Sequence, residues 1–523
     1  MCESAAPLGA AEEGVALTVV GGDHAEPGTS GWRRREVLVL AKSAAPLVVF
    51  NLLQFSLSAI SVANVGRTGS LNMAAAALGS SFTNVAGVSL LVGVTSSLET
   101  TSSQAFGARA YASIGVGLQR TWFANLYLSF FITAIWLSAG PIFRLCRQDP
   151  QLSDLAAAYA RALIPRTWLI ALQYPLQKSL QAQGVMRPFG VIGLLLLAFH
   201  SVVSRLMVIR YGYLGAARAT TLTDSFMLFL GAAVFIHRER SLPDEQRTWH
   251  GLKREALTGW GPFVRLAAPS CCMLIVEWGT FEAVTLLSGL LPGADTGAPT
   301  AASSIAITTI MCAFAVPLGF ANACSSRVGA ALGAGQPAAA RASASVATGL
   351  ALCAQAFVVV ALALTGGGAY GRLFVGGGSE GHAALSAFKA LVPCLSILVL
   401  GDGLQCVLSG AMRGAGCQAA AARINLVVFF MWGLPAGVLL AFPCRVGLLG
   451  LWVGLCLATN TQWIGLSVFL ARLLDWQQAA DQAQARSSEP AMPPPACRKD
   501  APFGVGEEAV ALLASGEHDT ITH

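Results

Sequence analysis

Charge is what this chain has least of. Only 11% of its 523 residues are Asp, Glu, Lys or Arg, against about 25% in an ordinary soluble domain, and 54% are hydrophobic. So few charges cannot cover a water-facing surface of this size, which excludes a string of soluble domains. The 13 cysteines form no CxxC pair and no Cys/His cluster, so neither a zinc site nor a dithiol centre is expected, and they read as small apolar packing residues. No N-x-Ser/Thr acceptor occurs. The amino-terminal stretch lacks the basic start and compact apolar core of a cleaved signal peptide. A membrane-embedded transferase would need an aspartate-rich metal motif on a cytoplasmic loop, and none is present, so no enzyme is expected. The net charge of +6 sits in short clusters between apolar runs rather than along one face, which points away from nucleic acid.

What the chain does have is long apolar runs. A helix needs about 20 such residues to cross a bilayer. On that criterion spans fall at 43–65, 74–97, 118–140, 157–183, 187–210 and 213–236, then at 264–290, 300–324, 343–365, 384–410, 419–441 and 447–472. Lys and Arg gather in alternate loops, beginning with Trp32–Glu36, so both termini are expected in the cytoplasm. The reading by segment is a disordered cytoplasmic start (1–36), a first lobe (37–236), a cytoplasmic linker (237–262), a second lobe (263–472) and a disordered cytoplasmic tail (473–523).

The two sets of six resemble each other. The AAP ending at Pro46 recurs at Pro269, QAFGARAYA (Gln104–Ala112) recurs as AALGAGQPA (Ala330–Ala338), and AQGVMRP (Ala182–Pro188) as SGAMRGA (Ser409–Ala415), at offsets of 223 to 226 residues with the last pair aligned on Met186–Arg187 and Met412–Arg413. An even number of helices per repeat gives both halves the same orientation. The expected fold is therefore all-α and integral to the membrane, with twelve transmembrane helices in two six-helix lobes related by a pseudo-two-fold axis along the membrane normal.

Ionisable residues inside spans cost at least about 2.5–3.5 kcal/mol on insertion scales and are functional candidates by default. Glu277 lies near the middle of the seventh span, Glu282 five residues on, and Asp402 in the tenth span between two glycines. Hydrocarbon favours a protonated carboxyl and a bound cation favours the carboxylate, so a proton and a cationic substrate would compete for these groups. The plainer alternatives are that Glu282 points to the external end and that Asp402 caps a broken helix. Gln54, Asn84 and Gln104 are polar without charge and serve either as cavity contacts or as interhelical hydrogen bonds. Trp278 could offer a π face to an organic cation or simply pack. Pro46, Pro269 and Pro317 kink or start helices. Arg205 and Arg218 fall within spans and either pair with an acid or snorkel to the interface.

At these residues the chain resembles the multidrug and toxic compound extrusion family, in its eukaryotic, plant-like branch. The resemblance covers about 36–472 and rests on Val65–Gly87, Ser97–Ala108, Leu176–Pro188, Leu266–Pro292, Ser325–Arg341 and Val407–Gln418 taken in order. It implies an antiporter that expels organic cations, xenobiotics or secondary metabolites in exchange for protons by alternating access. Proton drive rather than sodium is implied, with no cofactor and no resident metal. The seventh-helix glutamate pair of eukaryotic members is matched by Glu277 and Glu282, and the acid ahead of the tenth-helix SG-x-x-RG motif by Asp402. Gln54 stands where prokaryotic relatives carry an amino-lobe aspartate; Ser204 and Arg218 are further departures in that lobe. A monomer in the plasma or vacuolar membrane is expected, with small organic cations or amphipathic metabolites, protons and the bilayer as its partners. The alternative is a flippase for an amphiphilic or lipid-linked substrate, which would favour basic cavity residues.

Overall fold

A computed structural model describes residues 29–146, 148–291, 298–365, 368–372 and 379–488. Among these there is no strand. The first lobe runs α1 (Ser30–Gly66), α2 (Leu71–Gly107), α3 (Tyr111–Leu137), the short α4 (Ala139–Leu145), α5 (Pro150–Ala162), α6 (Ile164–Ala182), α7 (Arg187–Tyr211) and α8 (Leu214–Ser241). The second comprises α9 (Trp260–Ser288), α10 (Ala298–Gly333), α11 (Pro337–Thr365), α12 (Ser379–Ala415), α13 (Gln418–Ala441) and α14 (Leu448–Leu473). The expected spans are matched by helices, most of them longer than their apolar core because the helices continue into the polar loops at their ends, but 157–183 is broken at Leu163 into α5 and α6.

Among the described residues ten helices are long and apolar enough to cross a membrane on their own, and the bent pair α3 and α4 makes an eleventh. α6 is the exception: it carries Arg166 and Lys178, whose charges meet acids on neighbouring helices instead of lipid. Pro46, Pro269 and Pro317 all lie inside helices. The ladders of α2 and α13 each include a π segment, at Asn84–Val88 and Leu426–Gly433.

The lobes meet along a seam built by α1 and α2 on one side and α9 and α10 on the other. Small residues let the backbones touch there. A Cβ added to Gly107 would lie 1.9 Å from the carbonyl oxygen of Ala330, and one added to Gly333 would lie 1.9 Å from that of Gln104. Likewise Gly93 packs on Cys271 and Gly319 on Val48. In each case the second contact is the first with the lobes exchanged, at offsets of 226 or 223 residues. Reciprocal contacts of this kind are the mark of a two-fold axis, which here passes through the seam.

Two expectations need correction. Residues 30–36, expected to be disordered, form the first turns of α1, where Glu36 is buried and ion-paired. The tail expected to be disordered from 473 instead folds over Trp476–Ser488 into α15, which lies across the seam. Trp476, Ala479, Ala480 and Ala483 are buried beneath it, and Arg486 donates a 2.9 Å hydrogen bond to Gln104 of α2. An amphipathic stripe at positions i, i+3, i+4 and i+7 explains the folding. The linker is also pinned: Glu239 accepts from the backbone N–H groups of Thr248 (2.9 Å) and Trp249 (3.0 Å), and Gln119 of α3 bonds the backbone at Gly251 and Lys253. Residues 1–28 and 489–523 lie outside the described residues. The side of the bundle holding Ser30 and Ser488 is called the terminal face below.

Candidate functional site

A carboxylate taken out of water needs a cation or a proton, so the partners of the membrane-embedded acids sort them. Glu36 of α1 is gripped at both oxygens by Arg327 of α10, at 3.1 and 2.5 Å, and accepts from Ser343 of α11 at 2.7 Å. Asp224 of α8 pairs with Arg166 of α6 at 2.7 Å. Glu99 of α2 meets Lys178 of α6 at 3.0 Å and Arg413 of α12 at 3.8 Å.

Glu277 and Asp402 differ. Both are buried, at 7% and 4% exposure, and among the described residues neither forms an ion pair. Gln405, one turn along α12 from Asp402, serves both: its Nε2 donates to Glu277 Oε1 and to Asp402 Oδ1, each at 3.1 Å. The two carboxylate oxygens therefore stand no further apart than twice 3.1 Å. Gln405 Oε1 in turn accepts from Ser409 at 3.3 Å. Around this group α14 contributes Gln462, which donates to Asn425 of α13 at 2.8 Å and stands beside Glu277. Gln355 of α11 closes the group by bonding the Val399 carbonyl. Gly401 and Gly403 bring α12 against Asn460 and Gln355, where a Cβ would clash. The result is a buried polar cluster in the second lobe, with amide groups around two acids that form no ion pair among the described residues.

The remaining candidates are placed apart. Glu282 is half-buried and faces Ser81 of α2, away from the Gln405 amide. Trp278 turns toward the first lobe and packs on its apolar cluster near Leu90 and Leu91. Gln54 is half-buried on α1, and Asn84 is exposed at the head of the π segment. Gln104 is a seam residue, bonding the Gly414 carbonyl at 2.9 Å. Both Arg205 and Arg218 are exposed, and Arg218 stacks over the Tyr211 ring at 4.0 Å. In the first lobe, His200 lies between Ser61 (2.9 Å) and Thr223 (2.7 Å).

Sequence reasoning did not single out Gln405, Glu99, Lys178 or Arg413. The signal for Glu99 and Lys178 was present, since each is a charge within a helical run. Gln405 carried none, because a glutamine in a span reads as packing until its neighbours are known.

Comparison with known proteins agrees with this architecture. The sequence profile of the family described as MatE matches residues 46–206 and 269–439, one stretch in each lobe. Protein DETOXIFICATION 17 of Arabidopsis thaliana is 34% identical over 445 residues, covering 85% of this chain and 91% of that protein. Protein DETOXIFICATION 16 of the same plant is 33% identical over 445 residues, covering 85% and 89%. Among solved structures, the eukaryotic MATE transporter AtDTX14 superposes with a TM-score of 0.81 at 28% identity, over 87% of this chain and 99% of that one. A multidrug resistance MATE family transporter described as outward-facing superposes with a TM-score of 0.73 at 16% identity, over 91% and 99%, which speaks to the fold alone. With a profile matched in both lobes and relatives aligned over most of their length, this chain belongs to the MATE family of multidrug and toxic compound efflux transporters.

Proposed function

We propose that this transporter exports organic cations in exchange for protons, and that Glu277 and Asp402 are the groups at which the exchange takes place. One observation carries the reading: Glu36, Glu99 and Asp224 each meet a protein cation, whereas Glu277 and Asp402 share a neutral amide. A fixed ion pair would hold the site in one state. Two acids supported by neutral amides can be neutralised by a proton or by cargo, and one occupant excludes the other. Glu282 and Trp278, on the same helix but facing the first lobe, are read as contacts for cargo on its way to the pair; Gln54 and Asn84 are weaker candidates for the same role. The Lys and Arg distribution supports a cytoplasmic terminal face, in either the plasma or the vacuolar membrane. Cargo would then load from that face and leave on the other by rocking of the lobes about the seam.

Reconstitution in liposomes provides the test. Uptake of a fluorescent organic cation is followed with an imposed proton gradient, for the wild type, Glu277→Gln and Asp402→Asn. Gradient-driven uptake is expected for the wild type and its loss for both variants. Equal uptake with and without the gradient removes proton coupling, and unchanged uptake in the variants removes these acids.

A further inference from the structure

The acids of the second lobe and the ion pair that ties the lobes together are connected by one helix face. Asp402, Gln405, Ser409 and Arg413 are spaced by three, four and four residues and so share a stripe of α12. Hydrogen bonds run along it, from Gln405 to Asp402 at 3.1 Å and from Ser409 to Gln405 at 3.3 Å. Helical side chains lean toward the amino-terminal end of their helix. Arg413, one turn beyond Ser409 on the same stripe, stands with its Nε 3.8 Å from Glu99 Oε2 in the other lobe.

The charges at the two ends of this stripe are unevenly matched. Glu99 alone faces two cations, Lys178 and Arg413. Glu277 and Asp402 face none at contact distance, yet the Arg413 charge reaches Glu277. The buried Cys406, between the two ends, lies within electrostatic reach of Arg413, Asp402, Glu277 and Lys178 together. On α10, Cys324 is within reach of Arg413, Glu36 and Glu99, and Asn322 accepts from Lys178 at 2.7 Å. Because Lys178 already neutralises Glu99, Arg413 is the cation of the cluster whose loss Glu99 tolerates. The backbone of α12 beside it is held at the seam by Thr100, which donates to the Arg413 carbonyl at 2.7 Å.

We propose that Arg413 couples occupancy of the exchange acids to closure of the seam: it is shared between Glu99 across the seam and the Glu277–Asp402 pair in its own lobe. When the pair is empty and ionised, it draws the guanidinium along α12 and the bond to Glu99 weakens. When a proton or a cargo cation neutralises the pair, Arg413 returns to Glu99 and the terminal face closes behind the load. Coupling of this kind is reciprocal, so closing the seam also changes how tightly the pair holds its occupant. The inference rests on the exchange role assigned to Glu277 and Asp402, and its test separates the two.

Hydrogen–deuterium exchange of the full-length protein in lipid nanodiscs reads the seam through the peptides spanning residues 107–112 and 333–338. Relative to the wild type at a pH where the pair is ionised, the Glu277→Gln/Asp402→Asn double variant should exchange at least about fivefold more slowly there, the lower end of usual allosteric coupling. In a Glu99→Gln background the same double substitution should leave the exchange unchanged. Should Glu99→Gln fold poorly, Arg413→Lys offers the second route: it keeps the charge, shortens the reach and should abolish the difference as well. If the acid substitutions abolish proton-driven uptake but leave exchange at both peptides unaltered, the coupling is refuted while the exchange site stands. If they slow exchange equally with and without Glu99, Arg413 is not the connection.

Discussion

Gly107 and Gly333 hold equivalent places on opposite sides of the seam, each with its Cα against a backbone carbonyl of the other lobe, at Ala330 and Gln104. Neither site has room for a methyl group. Gly107→Ala and Gly333→Ala should each destabilise the closed conformer by about 1–3 kcal/mol, the usual range for overpacking. Because both wedge the same interface, the double variant should lose less than the sum. Thermal unfolding of the purified protein checks both statements, and a fully additive loss would mean that the two contacts open independently.

Stability should separate the working acids from the structural ones. Glu99→Gln and Glu36→Gln remove the buried partner of a half-buried cation and should cost about 3 kcal/mol, the lower end for breaking a buried pair. Glu277→Gln and Asp402→Asn remove a charge that no cation balances, so the melting temperature should hold steady or rise. Differential scanning fluorimetry of the four variants in one detergent makes the comparison. Equal losses in all four would erase the distinction on which the exchange site rests.

Competition between proton and cargo fixes the sign of the pH dependence. Protonated acids cannot hold a cation, so the apparent KM for an organic cation measured without a gradient should rise as pH falls. The limiting slope is tenfold per pH unit for each proton displaced, while the maximal rate changes little. Initial rates across a pH series give the result. A KM independent of pH would mean that cargo and protons bind elsewhere.

Gln405 holds the pair together, and its replacement tests that role. Gln405→Leu keeps the volume and deletes the donor to both carboxylates, each such bond being worth about 1.5–3 kcal/mol when the acceptor is charged. Proton-driven uptake should fall at least about tenfold, with Gln405→Asn recovering part of it only if the shorter amide still reaches one acid. Wild-type uptake by Gln405→Leu would show that the acids position themselves.

Much of this is legible in the sequence, and the reasons are physical. Span positions follow from hydrophobic runs, and the lobes from the repeat, since both are local in sequence or exactly offset along it. The acids stood out because charge is rare in a span. Their sorting was hidden: Glu36 finds Arg327 at a separation of 291 residues and Lys178 finds Asn322 at 144, and nothing local encodes such pairings. α15 was misread for another reason. Its sequence, WQQAADQAQARSS, is polar enough to suggest a solvated tail, and the small alanine stripe gains its value only against the close-packed seam beneath it.

The pinned linker sets a mechanical limit on the rocking. Gln119 fixes Lys253, and Arg120 donates to the Glu255 carbonyl at 2.9 Å, so the chain is moored to the first lobe almost as far as α9. The four residues from Ala256 to Gly259 that remain reach about 13–14 Å even when pulled straight. Along that edge the halves can pivot but not drift apart, like a door on a short chain. On the proposed rocking mechanism, bulky cargo would enter through the edges that this tether does not cross.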